Sequence, residues 1–304
     1  MLRFLVSLFF LSASVAAQAG KLADPSLVAR IEQLLHSVLT SNSDSNSAED
    51  AQIREIFTKR GLPTVREVGD AAAYDFVLLL TSEDLLLDMQ PQVRPRIQAA
   101  VAAHDLPPDA GVFYESRLRA AKIKQSARTR APENPGLVDQ IERMSRVEQQ
   151  VRQQKDLNAA KLAETDARHA LALQEILNRY GVPTYAMVGP QAADDFIIMI
   201  QHQPPRFRQQ VLPKLKSLVD AGQADPGSYA LVYDLSQRDM GMKQLYGERL
   251  ECQAGEAMHE APIEDEAHVN QRRAELGLIR IELYARLVAE MMPQFCPPAP
   301  KRSE

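Results

Sequence analysis

Gly61–Phe76 reads GLPTVREVGDAAAYDF, and Gly181–Phe196 reads GVPTYAMVGPQAADDF. At an offset of 120 these stretches share nine of sixteen residues, where chance gives about one match. The shared set is Gly61/Gly181, Pro63/Pro183, Thr64/Thr184, Val68-Gly69/Val188-Gly189, Ala72-Ala73/Ala192-Ala193, Asp75/Asp195 and Phe76/Phe196. Further along, Pro95 recurs as Pro213, Pro108 as Pro226, Tyr114-Glu115 as Tyr233-Asp234, Arg119 as Arg238 and Lys124-Gln125 as Lys243-Gln244. The chain therefore reads as two copies of one unit, divided near Thr129–Pro135, where Pro132 and Asn134-Pro135 interrupt helical pattern.

Within each copy the apolar period is helical. Leu27, Ile31, Leu34, Leu35 and Val38 recur at three and four after the start signal Asp24-Pro25. Ile53, Ile56 and Phe57 continue the pattern, and Gly61 stops it; Leu171, Ile176 and Leu177 before Gly181 do the same. Gly69-Asp70 and Gly189-Pro190 each open an Ala-rich helix, and further helices are expected near 84–103, 108–125, 205–221 and 226–243. Leu137–Arg179 reads as one long helix or two, and Ser41–Ser47 as a loop. The expected class is all-α: two tandem helical-bundle repeats at 22–130 and 135–293, with a disordered tail at 294–304.

Composition agrees. The 304 residues are 45% apolar and 25% charged, ordinary for a globular chain. Thirteen Gly, no Trp and 6% aromatics disfavour a many-turned β fold. A net charge of -5 argues against a broad nucleic-acid surface, although Arg117–Arg130 is locally basic.

The first residues stand apart. Met1-Leu2-Arg3 is positive, Phe4–Leu11 is apolar and Ser12–Ala19 is small, with Ala17-Gln18-Ala19 as a cleavage pattern. Residues 1–19 read as a secretory signal peptide, cut after Ala19 or Ala17, which implies a periplasmic or secreted protein with no membrane contact afterwards. In an oxidising compartment Cys252 and Cys296 are expected to pair. Closing a loop of roughly 45 residues is worth about 4 kcal/mol in the chain-entropy picture.

Function points to the second copy, because it holds polar residues that the first lacks. These include Gln201-His202, Leu245-Tyr246-Gly247, Pro262-Ile263-Glu264-Asp265 and Arg272-Arg273. In order, Gly181-Val182-Pro183-Thr184, Val188-Gly189, Gln201-His202, Tyr233-Asp234, Gln244-Leu245-Tyr246-Gly247, Pro262-Ile263-Glu264-Asp265 and Arg272-Arg273 with Leu276-Gly277 resemble a bacterial domain family of unknown function, DUF6624. The resemblance spans Leu137–Leu287, and copy one resembles a degenerate version of its first part. Val182, Leu235 and Glu248-Arg249 stand where that family usually has Trp, Arg and Thr-Gln. The resemblance brings no chemistry with it.

The candidate binding residues are His202, Asp234, Gln244, Tyr246, Glu264, Asp265, Arg272 and Arg273. A histidine titrates near neutrality and can move protons, with Asp234 to orient it. Paired arginines suit a carboxylate or phosphate. Structural readings stand beside these: a local hydrogen bond for His202, helix-dipole partners for Glu264 and Asp265, an internal salt bridge for the arginines. The first expectation is a binding or interaction module for a small polar ligand or a protein partner. The second is a hydrolase-type enzyme using His202 with a carboxylate. Whether the protein is an enzyme stays open. No cofactor is expected. His259 and His268 lack close two-histidine helical spacing, so no metal site is expected. Nucleotide-binding and serine-hydrolase signatures are absent.

Overall fold

The computed structural model describes residues 23–40, 47–154, 158–251 and 259–291. The signal-peptide reading, the Ser41–Ser47 loop (save Ser47, where the next helix begins), the tail and both cysteines, Cys252 and Cys296, fall outside the described residues.

The chain is all-α. Ten helices fill the two halves in matching order. The first five are α1 (Pro25–Thr40), α2 (Ser47–Arg60), α3 (Val65–Leu79), α4 (Glu83–Ala102) and α5 (Pro108–Arg128). The next five are α6 (Pro135–Arg152), α7 (Ala159–Tyr180), α8 (Tyr185–Gln201), α9 (Pro205–Asp220) and α10 (Pro226–Asp239). Packing partners also match. α1 lies on α3 as α6 lies on α8, and α4 on α5 as α9 on α10. Two short strands, β1 (Leu250–Glu251) and β2 (His259–Glu260), pair antiparallel before α11 (Val269–Glu275) and α12 (Ile281–Met291).

The two quoted stretches adopt one local geometry. Thr64 accepts the Glu67 N–H at 3.3 Å, while the Glu67 carboxylate accepts the Thr64 N–H at 2.9 Å, closing a capping box. Thr184 caps α8 through the Met187 N–H at 3.1 Å, and methionine cannot complete the box. The helices therefore start four residues before the expected glycine. Gly69 and Gly189 kink them instead, at φ 85 and 78 with extended ψ, a region open to glycine alone.

The kink has a use. Pro190 has no N–H, so the Ala186 carbonyl loses its helical donor. The Glu133 N–H supplies one at 3.2 Å, and the Asn134 N–H reaches the Met187 carbonyl at 2.9 Å. Asn134 then caps α6 through the Leu137 N–H. In the first half the Asp24 N–H likewise reaches the Glu67 carbonyl at 3.1 Å, and Asp24 caps α1. The entry to each half is thus tied to its kinked helix.

Two apolar cores result. The first is built on α1–α5 around Ile31, Ile53, Phe76, Leu85 and Phe113, and it also takes in Ala274, Leu283 and Leu287 from α11 and α12. The second is built on α6–α10 around Ile141, Leu173, Phe196, Ile200 and Leu215, with Tyr246 added. α11 and α12 therefore return to the first half, where Arg280 between them grips Asp109 at 2.6 Å and covers the Tyr74 ring at 4.4 Å. At the junction, Lys124 of α5 reaches Asp194 of α8 at 3.0 Å and Asp225, the α10 cap, at 3.4 Å. Burial would lower the Lys124 pKa, but the two carboxylates outweigh it and raise it. Leu137–Arg179 is two helices, and α10 ends at Asp239 rather than 243. Among the described residues no helix is long and apolar enough to cross a membrane.

Candidate functional site

The apolar stripe of α6 runs through Leu137, Ile141 and Val151, all buried, and one acid sits in it: Glu148, 4% exposed. The facing stripe of α7 holds His169, also buried, ahead of Leu173 and Ile176. His202 caps the C-terminal end of α8. These three meet. Glu148 lies 2.8 Å from Nδ1 of His169 and 2.5 Å from Nδ1 of His202. Arg152 donates its Nε to the same carboxylate at 2.6 Å and a second nitrogen to Asp166 at 2.6 Å.

The electrostatics set the tautomers. Burial pushes the Glu148 carboxyl up, but donors from His169, His202 and Arg152 outweigh that and hold it well below the usual carboxylate range. An ionised carboxylate only accepts hydrogen bonds, so both Nδ1 atoms must carry the proton. In neutral His202 this leaves Nε2 as a lone-pair base. Its side chain is 26% exposed, against 5% for His169, so His202 is the ring that a solute can reach. Gln203 in the following turn and Arg208 in α9 each hold a buried polar atom without a protein partner, Gln203 Oε1 and Arg208 Nε. Arg208 otherwise holds the Gln201 and Gln203 carbonyls and pairs with Asp239.

The other seven candidates gather elsewhere, and their bonds hold the segment after α10 in place. Asp234 is fully buried and accepts the N–H groups of Leu245 at 2.8 Å, Tyr246 at 3.2 Å and Glu248 at 2.9 Å. Burial raises its pKa, offset in part by those three amides and Arg273. The carboxylate that orients His202 is therefore Glu148 rather than Asp234. Gln244, also fully buried, donates to the carbonyls of Arg249 at 3.0 Å and Ala261 at 2.6 Å and accepts the Arg249 N–H at 2.9 Å. Tyr246 packs edge-on against Tyr229 and Tyr233.

Arg272 donates to the carbonyls of Leu245, Glu264 and Asp265 at 3.0, 2.7 and 3.0 Å. Arg273 is 1% exposed and donates to the carbonyls of Ile279 and Tyr246, each at 2.6 Å, and to the Glu248 carboxylate at 2.8 Å. Glu264 and Asp265 are exposed. Asp265 takes a left-handed φ of 49, and its carboxylate meets His268 Nδ1 at 2.9 Å. No hydrogen bond or ion pair among the described residues links His202 to this web. Nor is any group of three His, Cys, Asp or Glu among them placed to hold a metal ion.

Sequence reasoning missed Glu148 and His169. Their signal was a charged or titratable residue inside an apolar helical stripe: Glu148 lies seven after Ile141 and three before Val151, and His169 lies four and seven before Leu173 and Ile176.

A family model described as a family of unknown function, DUF6624, matches residues 135–293. This range includes both clusters. No curated protein matches, and no solved structure does.

Proposed function

The chain belongs to the DUF6624 family, whose function is unknown, and we propose that its second half performs acid–base chemistry at His202. One observation carries this reading. Glu148 fixes Nδ1 of His202 as a donor at 2.5 Å, which leaves Nε2 of a partly exposed ring as the lone-pair base, with the Gln201 side-chain amide nitrogen 3.5 Å away. A histidine oriented by a carboxylate abstracts a proton from water or a hydroxyl and returns it to a leaving group. That favours a hydrolase-type enzyme over the binding module. The seven other candidates fix the chain after α10 and make no bond to His202. The charge and size pattern of residues 1–19 supports an exported protein acting outside the cytoplasm.

The test is turnover by the purified protein on p-nitrophenyl acetate, p-nitrophenyl phosphate and p-nitrophenyl glycosides. His202→Ala is expected to lower any rate found by roughly 100-fold or more, the usual effect of losing a general acid–base residue. His202→Gln, which keeps a polar side chain but has no basic nitrogen, should be equally inactive. Full turnover in either variant removes His202 from the chemistry.

A further inference from the structure

The basic run Arg117–Arg130 has no part in the His202 cluster. Arg117, Lys124 and Arg128 stand at i, i+7 and i+11 of α5. At 3.6 residues per turn they lie within about 40° of one another, on one side of the helix. Ala120 and Ala121 stand between them, and such small side chains leave a hollow rather than a filled seam. Its opposite wall is the start of α10 (Asp225–Gly227) and the turn Leu276-Gly277-Leu278, and its volume is about 280 Å³. Three cations and a single carboxylate, Asp225, line it.

That carboxylate is already committed. One Asp225 oxygen accepts the Ser228 N–H at 2.8 Å as the α10 cap, and the other lies 3.4 Å from Lys124 Nζ. Lys124 is shared with Asp194 at 3.0 Å. Arg117 is left over, with no hydrogen bond or ion pair among the described residues. Its side chain is exposed, yet the protein around it lowers its pKa through burial, and Asp225 offsets this only in part. The stem of Arg117 is held. A Cβ at Gly277 would lie 3.2 Å from Arg117 Cδ and 3.4 Å from its backbone nitrogen, so a glycine at φ 68 lets the turn close onto the arginine. The Ser116 hydroxyl fastens the same turn of α5 to the Glu275 carbonyl at 3.0 Å.

We propose that this hollow binds a compact oxyanion, a phosphate or carboxylate group of a small molecule, with Arg117 as its anchor. A guanidinium fork takes two oxygens at once, and Lys124 and Arg128 add positive field along the same wall. Leu276 and Leu278 face the carbon part of the ligand. The volume sits just under the roughly 300–1,000 Å³ usual for drug-sized ligands, so the occupant is small. The site shares no residue with the His202 cluster, and neither reading depends on the other.

The test is calorimetric titration of the full chain with inorganic phosphate, pyrophosphate and citrate at constant ionic strength. Saturable binding of at least one, with Kd below about 1 mM, is expected. Arg117→Gln, at an exposed side chain and checked for wild-type circular dichroism, should weaken it about tenfold or more, and Arg117→Lys by less, since the charge stays. Arg119→Gln, on the other side of α5, should leave it unchanged. Tighter binding of the phosphates than of citrate assigns a phosphate ligand, and the reverse order a carboxylate. No saturable heat from any probe up to about 10 mM overturns the proposal. So does binding that Arg117→Gln leaves intact, or that Arg119→Gln weakens equally, because the attraction is then elsewhere or diffuse.

Discussion

Arg273→Ala should lower the stability of the folded chain by about 3–5 kcal/mol, because it leaves a buried carboxylate without its partner. The side chain is 1% exposed, with three donor contacts of 2.6–2.8 Å and the Tyr284 ring 4.9 Å from its guanidinium carbon. Burial already raises the Glu248 pKa, and Arg273 is what pulls it back. Removing the arginine orphans Glu248 and two carbonyls together. Arg273→Lys keeps the charge but not the planar fork, so it should recover only part of the loss. The double variant Arg273→Met with Glu248→Leu should recover most of it, since neither charge is then left buried alone. Urea unfolding of the four proteins checks this. A loss under about 1 kcal/mol for Arg273→Ala would place the guanidinium outside the folded core's support.

Glu148→Ala is expected to be about as costly, roughly 3–5 kcal/mol, for the same reason in reverse. It leaves His169, buried at 4%, and Arg152 without their shared acceptor. Here pH gives a second readout. The folded-state pKa of Glu148 is depressed below its unfolded value, so its contribution is complete above the ordinary carboxylate pKa, about 4.3. It is lost progressively as pH falls from there through the folded value. Wild type should therefore lose stability on acidification faster than Glu148→Gln, which has no carboxyl to protonate. Parallel acid-unfolding curves for the two would contradict the assigned charge on Glu148.

Much of the fold was legible because helices announce themselves locally. The three-and-four apolar period, the threonine caps and the glycine stops all act within a few residues. The kinks were harder: Gly69 and Gly189 looked like helix starts, yet Thr64 and Thr184 had already begun the helix one turn earlier. Of the site, His202 was legible as a titratable group at the end of an apolar helix. Its partner was not, because Glu148 approaches from two helices away in the chain. Asp234 seemed the natural orienting acid, being nearer in sequence and in a polar motif. Its surroundings explain the difference. Three amide donors from residues 245–248 already occupy it, and burial leaves it no route to solvent. Arg272 and Arg273 suggested an anion site, but backbone carbonyls take most of their donors, which sequence does not display.

The protonation of His202 decides the proposed chemistry. Long-range nitrogen–proton NMR on the folded protein, with His169 and His202 assigned by single replacement, reads which ring nitrogen carries the proton. In neutral His202 the proton should sit on Nδ1, with Nε2 unprotonated, and Glu148→Gln should disturb that preference. A proton on Nε2 in wild type, or a tautomer indifferent to Glu148→Gln, would contradict the dyad and with it the acid–base reading.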